Sequence, residues 1–432
     1  MKGASIIKKI DNKAHSFALL LHKNNKLHYF FSILYLTIFA FPMSLITARY
    51  GTYLLVMILL VSILNIVFLA RKFIKKRLMK ILLIMGGLFF LSIIVNGVGY
   101  LTGLAFGVYV SGFINGILYL YYIDKTNFIK ALADYSFVMI MVNGILSLLF
   151  QNGLYQVPNA IGQGMDVYFL GVGNQLNMYT ITYFVILILA YKFNREDPIK
   201  LFISGVMTLI SAYFADSATG YIGIIFLSLL LACYYIVRWL MPYRSFRVKR
   251  KILWSLALIV LVLGINYALT VLNLQRFFGS VLERVFDKDT TFSSRTNIWK
   301  EAFRLFKESP IFGRGFPSLN SHIFMKKAGY WFGAHNLIIE VGIISGIPGL
   351  IVFTYLLYYE FRRILEIRLF DIMFIVLTLF LTFLLMSVSE VYYIPIVVII
   401  ILLIEIFEDY SRFMNNKVKN DRVLMVNDLV ER

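Results

Sequence analysis

Residues 252–272 read ILWSLALIVLVLGINYALTVL, a run without a single Asp, Glu, Lys, Arg or His. In water such a segment would leave no face to solvate. About 20 apolar residues wound as a helix cross the ~30 Å hydrocarbon core of a bilayer, and the helix satisfies its own backbone polar groups there. The run follows a basic stretch, Arg244 to Lys251, and leads into a long loop of mixed charge. This is the pattern of a transmembrane helix with a basic flank on one side.

The rest of the chain segments by the same criterion. Spans are expected near 29–48, 51–70, 79–97, 103–123, 131–150, 176–192, 201–215, 219–238, 252–272, 336–360, 370–387 and 391–407. The fold class is therefore all-α, a polytopic integral membrane protein with about twelve transmembrane helices. Its divisions are a tail at 1–28, nine helices over 29–272, a long loop at 273–335, three helices over 336–407 and a tail at 408–432. A composition 60% apolar and only 15% charged lies far from that of soluble domains.

A net charge of +19 over 432 residues invites a nucleic-acid reading, so the placement of the 42 basic residues matters. With the N-terminus inside, 31 fall on the cytosolic side, one (Arg49) in the short outer connections, and ten in 273–335. Lys and Arg favour short cytosolic loops; topology explains the charge, and no nucleic acid is implied. Both termini are expected in the cytosol and the long loop outside it. The first span carries Pro42 and follows a polar stretch of 28 residues, which is too long and uninterrupted for a cleaved signal. Cys233 is the only cysteine, so neither an intrachain disulfide nor a cysteine-rich metal site can form.

Charged residues are absent from the middles of the spans, where ion-coupled transporters usually need them. Asp216 and Glu390 stand at outer span ends, and the outer segment 151–175 lacks Lys and Arg. The long loop is richest in ionisable groups. Within it Ile298, Trp299, Ala302, Phe303, Leu305 and Phe306 recur at helical spacing over 296–308, which predicts an amphipathic helix lying on the membrane interface or on span ends. Ser293 or Ser294 could cap it, Ser309-Pro310 would stop it, and Gly313-Arg314-Gly315 then predicts a turn.

Arg295 sits at the start of that helix, where the macrodipole disfavours a cation unless an anion is also present. A phosphate held by free N–H groups and a guanidinium fork would supply one. The alternative is a solvated Arg, or a partner for Asp287 or Asp289. His335 lies where the chain re-enters the membrane. It reads either as an interfacial residue or as a neutral imidazole able to take a proton from a sugar hydroxyl. Asn336 reads as the cap of the next helix, with Glu340 on the same face. Gly342, Gly346, Pro348 and Gly349 read as packing and kink residues. Asp287 and Asp289 are spaced like a metal-binding acid pair, but two acids in a charged loop are ordinarily just solvated.

Taken together these residues resemble the O-antigen ligase and Wzy-type polysaccharide polymerase superfamily of bacterial membrane glycosyltransferases. His335-Asn336, nine residues and Gly346-Ile347-Pro348-Gly349 are similar to that family's His motif; Ser294-Arg295, Trp299 and Pro310 to Gly315 are similar to its upstream pattern. The resemblance implies a GT-C-like fold in the bacterial cytoplasmic membrane and metal-independent transfer, without a cofactor, from an undecaprenyl-pyrophosphate-linked oligosaccharide to a glycan acceptor. A chain-length regulator is a further candidate partner. By that likeness His335 is the base, Arg295 neutralises the departing pyrophosphate, Arg314 and Arg284 are lesser candidates for the same anion, and Asn336, Glu340, Gly346 and Gly349 support the site. Where the family often has a further Arg, this chain reads Asp216-Ser217-Ala218. The net charge of the loop, ten basic against five acidic residues, independently favours an anionic donor. The leading expectation is a polymerase of lipid-linked repeat units. A ligase using a different acceptor, and an exporter or flippase, are the alternatives.

Overall fold

The computed structural model describes residues 19–40, 56–65, 77–96, 100–158, 164–194, 197–240, 250–274, 295–315, 325–327, 330–332, 334–392 and 396–413. Among these, a helix overlies every expected span: α1 Asn25–Phe39, α2 Val56–Asn65, α3 Arg77–Asn96, α4 Tyr100–Ile123, α5 Lys125–Leu149, α6 Gly173–Asn194, α7 Pro198–Ala215, α8 Ala218–Leu240 and α9 Lys251–Thr270. Then come α10 Arg295–Glu308 in the long loop, α11 Leu337–Ile364, α12 Phe370–Met386 and α13 over 396–413. Seven of them (α3, α5, α6, α7, α8, α9 and α11) are by themselves long and apolar enough to cross a membrane. Short antiparallel strands add what the helical reading lacked. Residues 155–158, 164–168 and 171–172 form a three-stranded sheet between α5 and α6, and 325–327 pairs with 330–332 inside the long loop.

Local chemistry fixes several helix ends. Asp124 accepts from the Asn127 N–H at 3.0 Å to start α5, Asp197 accepts from Ile199 N–H at 2.8 Å ahead of Pro198 to start α7, and Asp216 ends α7 in the left-handed region at φ 38°. The central helix is α6, most of whose side chains are buried, and it packs against α5, α7, α8 and α12. On α9, Trp254, Val260 and Leu261 stay exposed; lipid solvates such a surface, so it carries no penalty in a bilayer.

Polar side chains gather in two groups near helix ends. At one end lie the ion pairs Lys125–Asp409 (2.6 Å), Lys200–Asp134 (3.2 Å) and Arg238–Asp371 (3.2 Å). Arg363, near the last turn of α11, is buried there among Glu360, Glu405 and Glu408. The starts of α6, α8 and α11 and the end of α12 meet at the other.

The loop helix α10 packs on α11. Trp299, Ala302 and Leu305 are buried against Ala334, Ile339 and Ile343, so its apolar stripe lies on span ends, one of the two expected surfaces. The turn after it docks on a break in α11. Gly346 has φ 66° and ψ −164°, outside any helical region, and a Cβ there would collide with the backbone of Pro310 and Ile311. Gly313 likewise lies against the backbone of Ile344, where a Cβ would have no room. Backbone hydrogen bonds close the joint: Ile347 N–H to Pro310 O at 2.8 Å, Arg314 N–H to Ile343 O at 2.7 Å and Gly315 N–H to Ile344 O at 3.2 Å. Ser92 of α3 bridges both sides, donating to Ile344 O at 2.6 Å and accepting from Gly315 N–H at 2.8 Å. Gly346 therefore serves contact with the loop turn, a different partner from the neighbouring membrane helix its spacing from Gly342 suggests.

Candidate functional site

The loop bearing Arg295 and the residue heading α11 converge on one carboxylate that comes from neither. Glu390 lies after α12, in the segment 387–392, outside the spanning helices. Its Oε1 accepts from His335 Nδ1 at 3.2 Å and from the Val391 N–H at 3.2 Å. Its Oε2 accepts from Arg295 Nη2 at 3.3 Å and from the Asn174 amide. Guanidinium and imidazole thus stand within two hydrogen bonds and the width of one carboxylate.

Glu390 is 7% exposed. Burial favours its neutral form, yet the His335 imidazole, the Arg295 guanidinium and the Asn174 amide outweigh it and hold the carboxyl down at about 2. In the neutral form of His335 an ionised Glu390 favours the proton on Nδ1, which leaves Nε2 as the acceptor. The side chain of His335 is 35% exposed, so the ring is anchored at one nitrogen and open on another side. Its backbone sits at φ 46°, a left-handed conformation unusual outside glycine. Asn336 immediately follows and sets it: its side chain caps α11 by accepting from Ile339 N–H at 3.1 Å and donates to Asn266 Oδ1 at 2.6 Å and Val388 O at 2.8 Å.

The sequence-derived candidates divide accordingly. His335 and Arg295 come together. Asn336 is the expected cap. Glu340 is buried and accepts from Ala334 N–H at 2.7 Å, which holds the backbone just before His335. Arg314 turns to Glu308, and Glu308 also pairs with Arg304. Gly346 and Gly349 lie about 16–21 Å along α11 from His335, at ~1.5 Å per residue, and Gly346 stands at the helix break. Arg284, Asp287, Asp289, Ser293 and Ser294 lie outside the described residues. Among the described residues, the anion beside Arg295 is Glu390, an acid the sequence reading did not pair with it. Glu390 itself was visible only as an acid at a span end in an otherwise uncharged apolar stretch, a signal that marks a functional group without saying which.

The architecture is that of a helical membrane protein with a His–Glu–Arg cluster at one end. Residues 203–354 match the family model Wzy_C, described as O-Antigen ligase. That match supports the O-antigen ligase and Wzy superfamily resemblance read from the motifs, and members of the matched family are glycosyl-transferring enzymes of polysaccharide biosynthesis. The matched segment holds Arg295, Arg314, His335, Asn336, Glu340, Gly346 and Gly349; Glu390 and Asn174 fall outside it. No curated protein and no solved structure matches the chain. The apolar helices and the family domain together point to a bacterial inner membrane protein acting on lipid-linked glycans.

Proposed function

We propose that the chain is a polymerase joining undecaprenyl-diphosphate-linked oligosaccharide repeat units into a surface polysaccharide, with chemistry on the extracytoplasmic side and no metal required. The observation that carries the chemical part is the shared carboxylate: one residue orients a base and holds a cation beside it. His335 Nε2 takes the proton of an acceptor sugar hydroxyl as its oxygen attacks the anomeric carbon of the donor. The bond from that carbon to the diphosphate breaks, and the leaving electron pair goes to the diphosphate oxygen. Arg295 gives one N–H to Glu390, and the other donors of its planar fork fit a phosphate. Because the leaving group is already a diphosphate, positioning and electrostatic stabilisation supply most of the acceleration.

The full chain in membrane vesicles, given a lipid-linked repeat unit, is expected to produce a ladder of longer glycans. A single capped product on a different acceptor would reject polymerisation in favour of ligation. Separate His335→Ala and Arg295→Ala variants should abolish transfer while remaining folded in the membrane; near-normal elongation by both would favour transport over catalysis. Sidedness has its own test, because Cys233 is the sole cysteine. In a Cys233→Ser background, Lys300→Cys on the loop helix should react with a membrane-impermeant maleimide on intact cells; protection until lysis would place the site in the cytosol.

A further inference from the structure

We propose that Asn174 and Ser217, on two helix starts remote in sequence from His335, are positioning residues that aim the Glu390 carboxylate at the imidazole. This rests on the reading of His335 as the base.

The segment 387–392 that carries Glu390 has no regular structure, so its backbone cannot hold the carboxylate in place by itself. Three helix starts grip it. From α11, Asn336 donates to Val388 O and Leu337 N–H donates to Ser387 O at 3.0 Å. On α6, Gln175 donates to Val391 O at 2.6 Å. Thr219 of α8 hydrogen-bonds the hydroxyl of Ser389 at 3.1 Å. These contacts fix the backbone on both sides of Glu390, but they leave its side-chain torsions free.

Asn174 removes that freedom. Its amide donates to Glu390 Oε2, the oxygen shared with Arg295, so the other oxygen is turned to His335. An amide can rotate by half a turn and present its oxygen in place of its nitrogen, which would repel the carboxylate. The acceptor-only carboxylate sets the amide's orientation, and Ser217 supports it: its hydroxyl donates to Asn174 Oδ1. The hydroxyl is itself fixed, because the same oxygen accepts from the Gly220 N–H at 3.1 Å as the cap of α8. A continuous run of hydrogen bonds therefore joins the α8 backbone through Ser217 and Asn174 to Glu390 and on to His335. Ser217 is buried, and Gly220 lets α8 lie against Asn177 of α6 with no room for a side chain, which keeps the two starts close enough for this contact.

The test uses the full chain in membrane vesicles, with elongation of the lipid-linked repeat unit made by the native cell as the readout. Asn174→Ala is expected to lower kcat by about tenfold or more, the scale of a hydrogen bond to a charged group, with KM within about twofold. Ser217→Ala should give a smaller loss and Ser217→Thr, which keeps the hydroxyl, should recover it. The double variant should be no worse than Asn174→Ala alone, because both act through one carboxylate. Additive losses that follow a falling Tm would overturn the proposal and reduce both residues to structural roles. Wild-type kcat in Asn174→Ala, alongside an inactive His335→Ala, would overturn it while leaving the proposed function standing. An active His335→Ala would instead sink the reading of the base.

Discussion

Replacing Glu390 by Gln keeps the size of the side chain and removes its charge. At 3.2 Å a pair of unit charges interacts by about 1.3 kcal/mol at a dielectric of ~80 and about 5 kcal/mol at ~20. His335 is one-third exposed, which favours the lower part of that range; about 2–3 kcal/mol corresponds to about 30- to 160-fold in kcat. Hydrogen-bond polarity adds to this. Glu390 accepts on both oxygens, from His335 and Val391 on one side and from Arg295 and Asn174 on the other. The amide of the Glu390→Gln variant has a single oxygen. If that oxygen faces Arg295 and Asn174, the amide NH2 faces His335 Nδ1, which must then give up its proton and leave Nε2 protonated and useless as a base. Single-turnover elongation with a labelled lipid-linked repeat unit measures the step directly. Glu390→Gln should lie at or beyond the lower kcat bound with KM little changed, and Glu390→Asp, charged but shorter, should fall between it and wild type. A kcat for Glu390→Gln within about threefold of wild type would refute the orienting role.

The depressed carboxyl of Glu390 also makes stability depend on pH. Its folded value of about 2 lies below the ordinary 4.5, so its contribution is complete above the ordinary value and is lost as pH falls from about 4.5 toward 2. In detergent, wild-type Tm should drop through that window more steeply than that of Glu390→Gln; parallel curves would refute it. Gly346→Ala forces a side chain into φ 66° and into the Pro310 and Ile311 backbone. Strain of about 1–3 kcal/mol should lower Tm and, by displacing the turn after α10, kcat as well; an unchanged Tm would contradict the docked joint. At the other end, Arg363→Ala leaves Glu360, Glu405 and Glu408 without their shared cation. About 3–5 kcal/mol of destabilisation should appear as lost yield and Tm, while kcat per folded molecule stays near wild type.

Helix positions were legible in the sequence because the apolar runs and their punctuation are local. Asp124, Asp197 and Asn336 cap within three residues of where they stand, and Ser309-Pro310 ends α10 just after Glu308. The two short sheets were not, since Tyr155 meets Val167 and Lys326 meets Trp331 in segments too short for a periodic pattern. His335 and Arg295 stood out through motif spacing and through a cation placed at a helix start.

What the sequence determined by itself was thus what a single segment dictates: the helical class and the places of the helices along the chain, with His335 and Arg295 marked as candidates. Only the tertiary structure decided what those members touch. Glu390 is 55 positions from His335, 95 from Arg295 and 216 from Asn174, and Ser92 reaches Ile344 across 252. Such meetings depend on which helix ends pack side by side, a property of the assembled bundle that the hydropathy of separate helices does not encode.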